Sequence, residues 1–260
     1  MRQLKKVLKT EFLKVKKAKI FWITIIFFSF ITIIISLMMF ILKNPELASQ
    51  MGLLGAKSQI IGEANWESYF EILSQIIALG GLIGFGFITT WIFGREFTDK
   101  TIDDLISLPI SRTKIITGKF IIMFIWNLLL ILLVLLIGLL GGIIVGLDEL
   151  TKNIMVSGIQ LFLTTSLLTI LVSTFVAFFA SYGRGYLLSL GYVISTMVLS
   201  QLVAALGHGA YLPWSIPALY SGAAGPEQAQ MSWFSYTLVI IFSVLGYIVT
   251  VLWWNKADHN

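Results

Sequence analysis

Long uncharged apolar runs alternate with short polar stretches along this chain. Six runs stand out, at residues 20–42, 72–93, 120–147, 154–180, 186–206 and 236–254, and none of them contains Asp, Glu, Lys, Arg or His. A bilayer's hydrocarbon core is about 30 Å thick and takes about 20 apolar residues per helical crossing. Backbone polar groups find no partner in lipid, so each run is predicted to be a helix. The expected fold is an all-α integral membrane protein with six transmembrane helices, residues 1–260 forming a single transmembrane domain. The third run is long enough to tilt or to protrude from the bilayer.

The polar stretches carry patterns of their own. In residues 1–19, Leu4, Val7, Leu8, Phe12 and Val15 recur at helical spacing with lysines on the remaining faces. That pattern predicts an amphipathic helix lying at the interface of an anionic leaflet. A cleaved signal peptide is the rival, but the apolar run that follows is too long and no small-residue cleavage site succeeds it. Residues 207–225 hold two prolines, bulky aromatics and a single histidine, His208, within the external segment 207–235. They are too apolar for a solvated loop and too broken for a crossing, which predicts an external re-entrant or interfacial element. It is either a packed lid over the bundle or the lining of an exit path for an amphipathic substrate. Gly138, Gly142 and Gly146 recur every four residues, as do Gly80 and Gly84, the spacing of closely packed membrane helices.

Composition agrees with the pattern: 57% of residues are hydrophobic and 12% charged. The placement of charge says more than its sum. Fifteen Lys and Arg fall on the side that carries the N-terminus and three on the other, which predicts cytoplasmic N- and C-termini. With no cysteine, disulfides, thiolate metal sites and cysteine nucleophiles are excluded.

The search for chemistry returns little. His208 and His259 fall on opposite sides of the membrane, HExxH is absent, and Gly118-Lys119 lacks the rest of a Walker A loop. Ser111 and Lys114 have S-x-x-K spacing without its companion motifs, a coincidence. No ionisable residue lies at membrane depth to act as a proton or cation relay. Asn127, Gln75, Gln160 and Gln201 are the strongest polar groups there, first as interhelical hydrogen-bond partners. Asn127, Gln160 and Gln201, with Tyr211 and Trp214 from the external segment, are the candidates for a substrate path. A transporter architecture with no energy source of its own needs a partner that has one.

The stretch GREFTDKTIDDLISLPISRTKIITGK, residues 94–119, is where such a partner could bind. It is far longer than a connector between antiparallel helices requires. Phe97, Thr101, Leu105 and Leu108 form one helical stripe with the charged residues largely on the other faces, which predicts a short amphipathic helix. Pro109 is expected to end it, Ser111 to cap a new helix, and Lys114 and Lys119 to snorkel to the headgroups.

This run resembles the signature of ABC-2-type permeases, the membrane subunits of a large class of ABC exporters. The resemblance is carried by Arg95-Glu96, Lys100-Thr101, Leu105, the Leu108-Pro109-Ile110-Ser111-Arg112 stretch and Gly118-Lys119. It extends to six spans, inward termini and chain length. Residues 212–222, LPWSIPALYSG, look like the branch holding bacitracin and antimicrobial-peptide resistance permeases. The resemblance implies a coupling helix within 94–119 that docks on an ATPase, with Glu96, Thr101, Asp104, Leu105, Pro109 and Arg112 forming or positioning the contact. Arg112 would pair with an ATPase carboxylate or with Glu96. The implied assembly has two ABC ATPase subunits and a second permease copy or close homologue, in the bacterial plasma membrane. ATP and Mg would sit in the ATPase, no cofactor would be bound by this chain, and no nucleic acid is implied. The cargo would be a hydrophobic or amphipathic molecule, an antimicrobial peptide or drug, moved outward. The alternative is a self-sufficient secondary transporter or channel.

Overall fold

The computed structural model describes residues 2–44, 46–47, 63–224 and 231–256. Most of the expected external stretch 43–71, part of 207–235 and His259 lie outside the described residues. In chain order the helices are α1 (Arg2–Lys17), α2 (Lys19–Lys43), α3 (Trp66–Thr98), α4 (Ile102–Ile106), α5 (Arg112–Val145), α6 (Lys152–Ser173), α7 (Val176–Tyr182), α8 (Leu187–Ala205), α9 (Ile216–Tyr220) and α10 (Trp233–Lys256). A 3-10 turn, Gly209–Tyr211, precedes α9. Among the described residues six helical units are long and apolar enough to cross a membrane: α2, α3, α5, α6–α7, α8 and α10.

The centre is built by α3 and α6–α7, which have 61% of their apolar window buried against 28% for each of the other four. Small residues let these helices approach. A Cβ placed on Gly158 of α6 would collide with Phe70 of α3, and one on Gly142 would lie 2.5 Å from Trp66. Gly138 is filled by Leu73 and Gly84 by Phe28. Gly80 differs, because among the described residues a Cβ there meets only Ile76 of its own helix at 3.9 Å. Gly146 also has another role: at φ 67° it is the left-handed C-cap that ends α5. Many buried hydroxyls bond back to carbonyls of their own helices, as Ser74 does to Phe70 (2.7 Å) and Ser166 to Phe162 (2.7 Å), and these carry no unmet demand into lipid.

One departure from the expected elements stands out. The fourth crossing breaks between Ser173 and Val176 although its sequence holds neither Pro nor Gly there. Gly246 of α10 abuts the break, so that a Cβ on it would lie 3.0 Å from the Phe175 backbone, and Phe175 stacks on Phe242 at 4.7 Å. The 209–220 segment, expected as a re-entrant or interfacial element, packs into the bundle. Ile216, fully buried, packs in one cluster with Leu82 and Leu168, both near the middles of their helices. Trp214 rests edge-on against Phe242 at 4.9 Å, whereas Tyr211 is 69% exposed.

Candidate functional site: the corner of α1, α3, α4 and α5

The helices α3 and α5 have 33 and 34 residues, and at 1.5 Å rise per residue each is about 50 Å long. A hydrocarbon core of about 30 Å cannot contain them whole, and the charged residues at their joined ends belong outside it. There, α3 stops at Thr98. Arg95 Nε donates to Asp99 Oδ2 at 3.0 Å, the Thr101 N–H returns to Glu96 O at 2.9 Å, and Lys100 takes φ 54°. A left-handed lysine reverses the chain, so the single stripe helix expected over Phe97–Leu108 is divided. Phe97 stays in α3, its ring 5.5 Å from that of Trp254. The residue that anchors α4 is Ile102, which is buried, while Leu105 and Ile106 are half-buried. Thr101, Asp103, Asp104, Ser107, Leu108 and Pro109 are exposed on the tip. Ser111 then occupies the N-cap of α5 with extended backbone, its carbonyl accepting from the Lys114 and Ile115 N–H groups.

Beneath the tip lies a buried ion cluster. Lys119 is completely buried, and its Nζ donates to Glu96 Oε1 at 2.7 Å and Ile92 O at 2.8 Å, with Glu11 Oε2 at 3.4 Å. Lys14 Nζ bridges Glu11 Oε1 (2.6 Å) and the same Glu96 oxygen (2.9 Å). Two lysines and two glutamates from α1, α3 and α5 therefore alternate in a neutral cluster. Lys119 does not snorkel: its ammonium points inward, where an unpaired charge would lose several kcal/mol of hydration. Burial disfavours the charge on Lys14, but the Glu96 and Glu11 carboxylates outweigh it and hold its pKa above the usual lysine value. Stabilisation from that ammonium is thus complete at neutral pH and is lost only as alkaline pH passes the raised value.

α1 straps the α3–α5 connection at both ends. Near its start, Gln3 donates to Pro109 O at 3.4 Å and accepts from Lys114 Nζ at 2.7 Å. At its middle, Val7 fills the space over Gly118, where a Cβ would lie 2.5 Å from Val7 Cγ1. Near its end, Glu11 and Lys14 enter the ion cluster. Sequence reading missed this strap, although Glu11 on the Val7–Val15 line, at spacing four from each, is a carboxylate on an apolar face. Arg112 takes a third position: its Nη1 donates to Trp254 O at 2.9 Å, tying the start of α5 to the last turn of α10. Glu96, the partner considered for it, bonds Lys14 and Lys119 instead.

Residues 7–202 match the sequence model of the family described as ABC-2 family transporter protein. The chain belongs to this family. The bacitracin transport permease protein BCRB of Bacillus licheniformis is 26% identical to it over 193 residues, 74% of this chain and 92% of that one. The permease is accordingly a membrane subunit of an ABC transporter, a multi-pass protein of the bacterial plasma membrane.

Within the permease the substrate-path candidates do not converge. Asn127 is fully buried, and neither of its amide atoms has a hydrogen-bond partner among the described residues. Gln160 lines a cavity of about 330 Å³ with Glu67, Glu71, Ser157 and Tyr220. Gln201 lines another, of about 250 Å³, with Leu79, Ser200 and several alanines.

Proposed function

We propose that the permease moves a hydrophobic or amphipathic molecule outward, driven by ATP hydrolysed on a separate ABC ATPase that docks on residues 101–109. The observation that carries this reading is the contrast within the corner. The tip exposes Thr101, Asp103, Asp104, Leu108 and Pro109, while its two roots are locked into the bundle by Glu96–Lys119 and Arg112–Trp254. A surface that is accessible at its crest and rigid at its base can pass a push to α3 and α5. On this reading Leu105 and Leu108 offer the apolar contact and Asp104 the charged one, whereas Glu96 and Arg112 position the tip rather than touch the ATPase. Fifteen basic residues against three support placing this corner in the cytoplasm, where ATP is found.

Two ATPases and a second permease copy or homologue would complete the assembly, as expected for the family. The absence of charged residues from the six sequence spans suits a cargo drawn from the bilayer, and the likeness to a permease named for bacitracin supports a peptide antibiotic as its type. The test is a pull-down of the tagged permease from its own bacterium's membranes. Wild type should recover an ABC ATPase, and Asp104→Lys with Leu108→Asp should lose it while keeping its melting temperature. Recovery of no ATPase by wild type would favour a self-sufficient transporter.

A further inference from the structure

Where α1 turns into α2, a cavity of about 540 Å³ opens beside α3. Among the described residues four cations line it, Lys14, Lys17, Lys19 and Arg95, and no carboxylate does. Two of the four are already engaged, Lys14 by Glu11 and Glu96 and Arg95 by Asp99. Lys17 and Lys19 are exposed and form no ion pair among the described residues. α2 begins at this point with Ala18 as its N-cap, a residue with no side-chain oxygen to offer the first amides of a 25-residue helix. The positive end of that helix adds to the attraction for an anion. Apart from Thr10, the remaining wall is apolar: Ala18, Ile20, Leu13, 44% exposed on α1, and Trp91, whose ring lies 5.0 Å from the Arg95 guanidinium.

We infer that this cavity binds the phosphate of an anionic phospholipid, held by Lys17, Lys19 and Arg95 with its acyl chains against Leu13 and Trp91. Basic pockets between membrane helices recognise anionic headgroups in this way. A cationic floor alone would suit any phosphate; the exposed leucine and indole beside it select a phosphate that carries hydrocarbon. Lys14 belongs both to this cavity and to the buried cluster, so an occupant lies beside one of the two lysines that neutralise Glu96. The inference does not depend on what docks at residues 101–109.

The test uses the full chain purified in detergent, with thermal unfolding followed as dioleoyl-phosphatidylglycerol is added, and dioleoyl-phosphatidylcholine as reference. Phosphatidylglycerol should raise the melting temperature of wild type and phosphatidylcholine should not. Lys17→Gln with Lys19→Gln should weaken the apparent affinity for phosphatidylglycerol at least tenfold. Lys5→Gln with Lys6→Gln, the same charge change on exposed α1 positions outside the cavity, should leave it within twofold. Equal losses in both pairs would reduce the effect to diffuse surface attraction, and no response in wild type would remove the site; either result overturns the inference. Equal protection by inorganic phosphate at the same concentration would overturn the lipid assignment in favour of a free-phosphate site.

Discussion

Lys119 is the residue on which the corner depends. Its side chain has no exposure, and the carboxylates that neutralise it come from positions 23 and 108 residues away in sequence. Lys119→Met leaves Glu96 and Glu11 sharing Lys14, one buried negative charge in excess. Breaking a buried pair in this way costs about 3–5 kcal/mol, which thermal unfolding in detergent would read as a marked loss. Glu96→Gln together with Lys119→Met restores neutrality and should recover most of it; a double variant no better than the single would refute the pairing. The glycines divide similarly. Gly142→Ala forces a methyl into Trp66 and should destabilise by about 1–3 kcal/mol. Gly80→Ala makes an ordinary contact with Ile76 and should be neutral or, by helix propensity, slightly stabilising, by up to about 1 kcal/mol. Spacing alone displayed both glycines as packing positions, because a four-residue repeat marks a face but not what lies opposite it.

At the scale of elements, the six crossings could be read from the chain because a charge-free apolar run of this length has one low-energy state in lipid. Pro109 and Ser111 marked the start of α5 by local chemistry, and that boundary was also visible. The break in the fourth crossing was not, since Gly246 and Phe242, which meet it, lie some 70 residues further on. Nor was the left-handed turn at Lys100, an unusual conformation for lysine that is held by contacts of Glu96 and Asp99. α1 is the least legible element: its lysines announced a membrane surface, and its strap function rests on Gln3, Val7, Glu11 and Lys14 meeting α3, α5 and the tip. Gly118→Leu, which displaces Val7, should lift the strap. The expected result is lower ATPase-coupled transport with the six crossings intact by circular dichroism, and unchanged transport would show the strap to be dispensable.

For the whole molecule, the described residues supply a buried centre of α3 and α6–α7, apolar outer faces, and a polar corner where α3 and α5 are joined. The family match makes it an ABC transporter subunit, and on the function proposed above the corner is where its ATPase docks. The chain contains no cysteine, so single-cysteine variants need no background removal. Leu108→Cys on the tip and Lys152→Cys at the opposite ends of the helices, both exposed positions, form the decisive pair. Each is fitted with a thiol-directed photo-crosslinker in the assembled membrane and illuminated. Crosslinking of the ABC ATPase by Leu108→Cys but not by Lys152→Cys is the predicted result. Crosslinking from Lys152→Cys alone, or from neither position while the ATPase still co-purifies, would contradict the assignment of residues 101–109 as the docking surface.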